Sequence, residues 1–192
     1  AALFVAQLLE EAGLPPGVMN VVNGDKFAVE NLLNDTRVKA VSFVGSTPIA
    51  QKIYQLANAN GKRCQALGGA KNHAIVMPDA DFDNASSALI GAAFGSSGER
   101  CMAISVAVTV GQKSADTLIS KLKEKMTTLK VGAFNNSEND FGPLISKAHK
   151  DKVTQLVTSA EQQGARIIVD GRHVENSQYP DGYYFGGTLI DN

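Results

Sequence analysis

Val38-Lys39-Ala40-Val41-Ser42-Phe43-Val44-Gly45-Ser46-Thr47 (VKAVSFVGST, residues 38–47) is the stretch on which the fold turns. As far as Val44 the run is rich in β-branched and apolar side chains, as a buried strand requires. Gly45 then permits a tight turn, and Ser46 reads as the N-cap of a helix reaching about Ala59. Arg63–Leu67 (RCQAL) returns as a strand. Upstream, Met19–Val22 reads as a short strand, Asn23-Gly24-Asp25 as a turn and Phe27–Leu33 as a short helix. Strands alternating with helices in this way pair in parallel, so the first third predicts a βαβαβ arrangement. It is preceded by an apolar helix over residues 1–12 that Gly13, Pro15 and Pro16 end.

The pattern resets near Leu67-Gly68-Gly69-Ala70. His73–Met77 reads as a strand stopped by Pro78, and Asp79-Ala80-Asp81 offers N-cap carboxylates to a small-residue helix, Asn84–Ser97. Ser105–Val110 reads as a strand, Ala115–Leu129 and Lys147–Gln163 as amphipathic helices, and Arg166–Val169 as a strand. The fold class is α/β, in two parts: residues 1–67 and residues 68–192.

Composition narrows the function. The chain has 192 residues, is 44% hydrophobic and carries 18 basic against 19 acidic side chains. That content fills a sizeable core, and the near balance of charge offers no basic surplus for nucleic acid or an anionic membrane surface. No apolar run approaches the roughly 20 residues that span a bilayer. Two cysteines, Cys64 and Cys101, are too few for a disulfide framework and have no metal-ligand spacing, so free thiols, a reducing cytoplasmic setting and a small-molecule partner are expected. Ala1–Val5 enters a helical pattern without Met or cap, and residues 187–192 stop just after a strand-like run. Both ends read as cuts in a longer chain.

Two junctions could carry chemistry. At Gly45-Ser46 a helix N-terminus presents free N–H groups and a hydroxyl to a phosphate, although a plain turn and N-cap would look the same. At Gly95-Ser96-Ser97-Gly98-Glu99-Arg100-Cys101-Met102 a thiol sits between a helix and a strand, where helix-end N–H groups and the Arg100 charge favour the thiolate. A small buried hydrophobe is the alternative for Cys101, and it is the reading adopted for Cys64 within its strand. His73, His149 and His173 are not sequence neighbours of Cys101. Asp79, Asp81 and Asp83 are read as a capping run, and no metal is expected.

In this order, Leu14–Gly24 (LPPGVMNVVNG), Ser42–Thr47, Leu67–Lys71 (LGGAK), Pro78–Asp81 (PDAD), Gly98–Cys101 and Asp140–Leu144 (DFGPL) resemble the aldehyde dehydrogenase superfamily along essentially the whole chain. The resemblance implies a Rossmann-like NAD-binding half over residues 1–67 and part of an α/β catalytic domain over 68–192. Gly45 and Ser46 would lie against the NAD pyrophosphate and Gly68 against the nicotinamide, with Cys101 as the nucleophile. Ser42–Ser46, Gly69–His73 and Arg100–Met102 resemble the methylmalonate-semialdehyde branch, although Glu99 departs from the more usual glutamine or asparagine.

Hydrolytic members carry a glutamate where this chain has Leu67. Without that base a thioester on Cys101 would await coenzyme A, and Arg100 would hold the carboxylate of a semialdehyde. The resemblance thus implies oxidation of methylmalonate or malonate semialdehyde to propionyl-CoA or acetyl-CoA, in a cytoplasmic homo-tetramer (in the mitochondrial matrix if the source is a eukaryote). Two rivals stay open: a hydrolytic dehydrogenase for another semialdehyde, and a segment inactive by itself.

Overall fold

Leu33, Ile53 and Ala57 are nearly sealed from solvent, with Val41, Phe43 and Cys64 packed around them. Each large aliphatic side chain buried in this way stabilises the fold by roughly 1.5–3 kcal/mol. They come from four elements that the sequence spaces correctly: helix α2 (Lys26–Asn34), strand β1 (Ala40–Val44), helix α3 (Thr47–Ala59) and strand β2 (Arg63–Leu67). β1 and β2 are parallel, with Val44 opposite Leu67 at their carboxyl ends. Lys62 is buried beside them and satisfied, its ammonium donating to the carbonyls of Asp35 and Val38 and so holding the approach to β1.

The computed structural model describes residues 1–191, which form two compact units divided between Gly69 and Ala70. Ahead of β1, helix α1 (Ala2–Glu11) buries none of its residues within the first unit and ends before Gly13 at φ +96°. Met19–Val22, expected as a strand, is not one. Val18 and Val22 are exposed, and no described strand lies alongside to accept the hydrogen bonds that a lone extended segment cannot make by itself. The first unit therefore holds one parallel βαβ pair rather than the expected βαβαβ.

In the second unit strand β3 (Asn72–Val76) and strand β4 (Ile104–Thr109) pair in parallel, joined by helix α4 (Phe82–Phe94). Asp81 caps α4, accepting from the N–H groups of Asp83 and Asn84. Helix α5 (Gln112–Met126) packs on α4, and Leu118, Leu122, Leu89 and Val76 form the core between helices and sheet. Helix α6 (Lys147–Gln162) buries Val157 against Leu144 and Phe185, next to the antiparallel pair β5 (Arg166–Val169) and β6 (Leu189–Asp191).

One helix is shorter than its composition predicts. α4 ends at Phe94 instead of running to Ser97, because Gly95 is extended (φ −53°, ψ 133°) and the next residues turn left-handed.

Candidate functional site

β1 delivers Gly45 and Ser46 to the start of α3, and β2 delivers Gly68 beside them. The Gly45 N–H donates to the Leu67 carbonyl, which carries the parallel ladder past its last pair. A Cβ on Gly68 would stand 2.8 Å from Thr47 Oγ1 and 3.2 Å from Thr47 Cα, so only glycine lets the two segments approach this closely. Thr47 Oγ1 in turn accepts from the Gly69 N–H at 2.9 Å. The three residues expected at a cofactor are thus together, at the carboxyl ends of parallel strands and at a helix N-terminus.

Ser46 adopts N-cap geometry, yet its hydroxyl makes no cap bond, and the residue is exposed. In the first turn, Thr47 and Ile49 have N–H groups without an intrahelical acceptor, and Pro48 has none to satisfy. Donors, a free hydroxyl and the positive end of α3 make this a cradle for an anion, and they fit the pyrophosphate of a dinucleotide.

In the second unit the segment after α4 is strained. Ser96 (φ 56°) and Ser97 (φ 56°) are left-handed without being glycine, and Gly98 follows at φ 72°. Such residues cost on the order of 1–2 kcal/mol each and persist where tertiary contacts hold them. The contact is visible: Ser97 Oγ donates to the Gly142 carbonyl at 2.6 Å, 45 residues along the chain. This ties the strained turn to the Asp140–Leu144 segment, whose Phe141 and Leu144 are buried.

The turn leads directly to Arg100 and Cys101. Cys101 is exposed, whereas Cys64 is partly buried in the first unit's core, as its strand position predicts. The Arg100 guanidinium lies over Gly95: a Cβ there would meet its atoms at 2.6–2.8 Å. Among the described residues no carboxylate pairs with Arg100, although eight ion pairs of lysine or arginine with a carboxylate form elsewhere. Beyond Cys101 the chain is held from β3, where the Asn72 side-chain amide donates to the carbonyls of Cys101 and Ala103, each at 2.9 Å.

Gly95 and Ser97 lie in the quoted Gly95–Met102 turn and Asn72 in the Gly69–His73 motif, but none of the three has a role of its own that the sequence announces. Ser97 and Asn72 act through contacts with residues distant in sequence, and Gly95 by leaving room for a side chain. Among the other groups considered, His149 bonds Ser146, His173 faces Asp170 from an exposed position, and His73 Nδ1 contacts the Lys71 carbonyl. Asp81 is a cap, and Asp83 pairs with Lys121, whose hydrogen bond holds its carboxyl below the usual range.

The sequence profile of the aldehyde dehydrogenase family matches residues 1–192. A malonate-semialdehyde dehydrogenase of Pseudomonas aeruginosa is 56% identical over 191 residues, all of this chain and 38% of that protein. Among solved structures, methylmalonate-semialdehyde dehydrogenase from Oceanimonas doudoroffii superposes with TM-score 0.95 at 66% identity, over 98% of this chain and 38% of that one. A protein from Sinorhizobium meliloti 1021, described as a methylmalonate-semialdehyde dehydrogenase and solved with NAD, gives TM-score 0.94 at 50% identity over the same shares. The chain therefore spans about 38% of the length of the relatives it matches.

Proposed function

Because the chain belongs to the aldehyde dehydrogenase family, we propose that it supplies the nucleophile and part of the cofactor cradle of an NAD-dependent, CoA-acylating methylmalonate/malonate-semialdehyde dehydrogenase. The activity is proposed for a polypeptide of the relatives' full length. Residues 1–67 belong in this reading to the NAD-binding domain and residues 68–192 to the catalytic domain. The observation that carries it is an exposed Cys101 thiol directly after Arg100, whose guanidinium lies over Gly95 and pairs with no carboxylate among the described residues.

In this mechanism the Cys101 thiolate attacks the aldehyde carbon, forming a C–S bond and leaving a thiohemiacetal oxyanion. Arg100 holds the substrate carboxylate by two parallel hydrogen bonds and so aims the aldehyde carbon at sulfur. Gly45 and Ser46 would hold the pyrophosphate of NAD and Gly68 would leave room for its nicotinamide, and the cofactor would supply the hydride acceptor. The acyl group then remains on Cys101 as a thioester. A coenzyme A thiolate attacks the acyl carbon, the C–S bond to Cys101 breaks, and the thiolate is regenerated. Loss of CO2 from the β-carboxylated acyl group, with the electron pair of the broken C–C bond taking a proton at the α-carbon, leaves propionyl-CoA or acetyl-CoA.

Leu67 supports the choice of coenzyme A over water. Its side chain is half exposed at the end of β2, and it can accept no proton; from Arg63 to Lys71 the sequence has no carboxylate at all. Water near a thioester needs a base, whereas a thiolate is already a strong nucleophile. By likeness to the family, the reading extends to a cytoplasmic homo-oligomer.

The test is pre-steady-state. Full-length enzyme given semialdehyde and NAD without coenzyme A should release one NADH per site in a burst and then turn over slowly, and coenzyme A should restore rapid turnover. Leu67→Glu should raise the CoA-independent rate. Fast production of the free acid by the unaltered enzyme without coenzyme A would overturn the acylating assignment.

A further inference from the structure

β3 and β4 do not meet cleanly at their first residues. Asn72 lies opposite Ile104, but His73 lies opposite Val106, so the parallel register slips by one residue where the two strands begin. Ahead of that slip the carbonyls of Cys101 and Ala103 have no strand partner, and Ala103 is buried. A buried carbonyl without a donor costs on the order of 1–3 kcal/mol. The Asn72 amide supplies both donors from one nitrogen, 2.9 Å from each oxygen.

The residues between those carbonyls are otherwise weakly held. Cys101 and Met102 are both exposed, Met102 to 76%. The remaining backbone bonds of the turn are local, Glu99 N–H to Ser96 O at 2.9 Å and Ala103 N–H to Arg100 O at 3.1 Å. Those bonds close the turn on itself and leave its orientation free. Ser97 anchors the turn upstream of the thiol, and Asn72 anchors it downstream.

We propose that Asn72 is a positioning residue for the nucleophile: by clamping the Cys101 and Ala103 carbonyls it fixes the peptide plane after Cys101, and with it the direction in which the thiol is presented. The inference rests on the reading of Cys101 as the nucleophile. Only the amide nitrogen can make the clamp, because Oδ1 in its place would face two carbonyl oxygens.

The experiment uses full-length enzyme with Asn72→Asp, which keeps the side chain's shape but replaces the donor with acceptors, and Asn72→Ala, which leaves the carbonyls to water. At pH 7 the NADH burst rate should fall roughly tenfold in Asn72→Ala and up to about a hundredfold in Asn72→Asp. NAD affinity should stay within about twofold of the parent, and Cys101 alkylation by iodoacetamide should slow in parallel with the burst. The ratio of the Asn72→Asp burst rate to that of the parent should rise as pH falls from 7 to 5, because the protonated acid regains one donor; a general loss of folding would not give that recovery. Burst rates within twofold of the parent in both variants would overturn the inference. So would losses matched by equal losses of NAD affinity and of the folded fraction. Cys101→Ala run alongside separates the two ideas: a retained burst there defeats the nucleophile reading itself, whereas a lost burst with normal Asn72 variants defeats only the clamp.

Discussion

The Gly45–Thr47 turn and the Gly95–Cys101 turn both stand at a junction between a helix and a strand, yet they are built in opposite ways. The first uses ordinary backbone: Ser46 is extended (φ −67°, ψ 144°), Pro48 occupies the first helical turn, and the neighbouring strands pair in regular parallel register. The Ser46 hydroxyl and the first N–H groups of α3 are left to meet a ligand. The second uses two left-handed serines held by a hydrogen bond to Gly142, an amide clamp from Asn72 and a glycine that makes room for Arg100. A phosphate cradle needs only N–H groups and a helix end, which regular structure supplies. A nucleophile must point in one direction, and that takes constraints from elsewhere in the chain.

If the contrast holds, damage to the two turns should differ in kind. Cys101→Ala in full-length enzyme should lower turnover by at least about a thousandfold while NAD still binds. Ser46→Ala should weaken NAD binding by roughly threefold to tenfold and leave the burst rate at saturating NAD nearly unchanged. Equilibrium NAD titration with stopped-flow NADH detection reads both. A Ser46→Ala enzyme with intact NAD affinity would make that turn a plain N-cap.

A smaller effect should separate Arg100 from its loop. Arg100→Leu should cost about a hundredfold in kcat/KM on methylmalonate semialdehyde and far less on propanal. Gly95→Ala should push the guanidinium aside and reproduce the same selectivity at roughly a tenth of the size. Equal losses on both aldehydes would leave Arg100 as a loop-holding side chain.

Strain supplies a third comparison, of about 1–2 kcal/mol. Ser97→Ala keeps the left-handed backbone and loses the bond to Gly142, so its thermal midpoint should drop by a few degrees. Ser97→Gly loses the same bond but relieves the backbone, and its midpoint should stay near the parent's. Equal drops would mean that the left-handed geometry stores no strain.

The smallest effect is expected away from both turns. Arg172 hydrogen-bonds Asp170 and pairs with Glu161, and the guanidinium holds the Asp170 carboxyl down at about 2, against an ordinary 3.8. A carboxyl depressed in the folded state stabilises above its ordinary value, and that contribution is lost as pH falls toward 2. Asp170→Asn should therefore be less stable than the parent at pH 5, by under about 1 kcal/mol after solvent screening, with the difference closing between pH 4 and 2. Denaturant midpoints across that range check it, and a gap that widens in acid would reverse the sign.

Local pattern made much of the molecule legible. Hydrophobic spacing placed α1, α3, β2, α5 and α6 within a few residues, since burying one face of a helix or strand constrains every third or second side chain. Gly45 and Ser46 were legible as a strand-to-helix turn, Gly68 joined them only through the family resemblance, and Cys101 stood out as a thiol at a junction. Pattern failed at Met19–Val22, which has strand composition but no neighbour among the described residues, and at the end of α4, where a run of small residues was carried on to Ser97 past the break at Gly95. Pairing and strain depend on what lies alongside. Asn72 meets Cys101 across 29 residues and Ser97 meets Gly142 across 45, and separations of that size leave no local signature. The sequence by itself determined most of the elements and pointed to the chemistry they could carry; only the tertiary structure decided what holds the turn on either side of Cys101, because Ser97 to Gly142 and Asn72 to Cys101 join segments far apart in the chain.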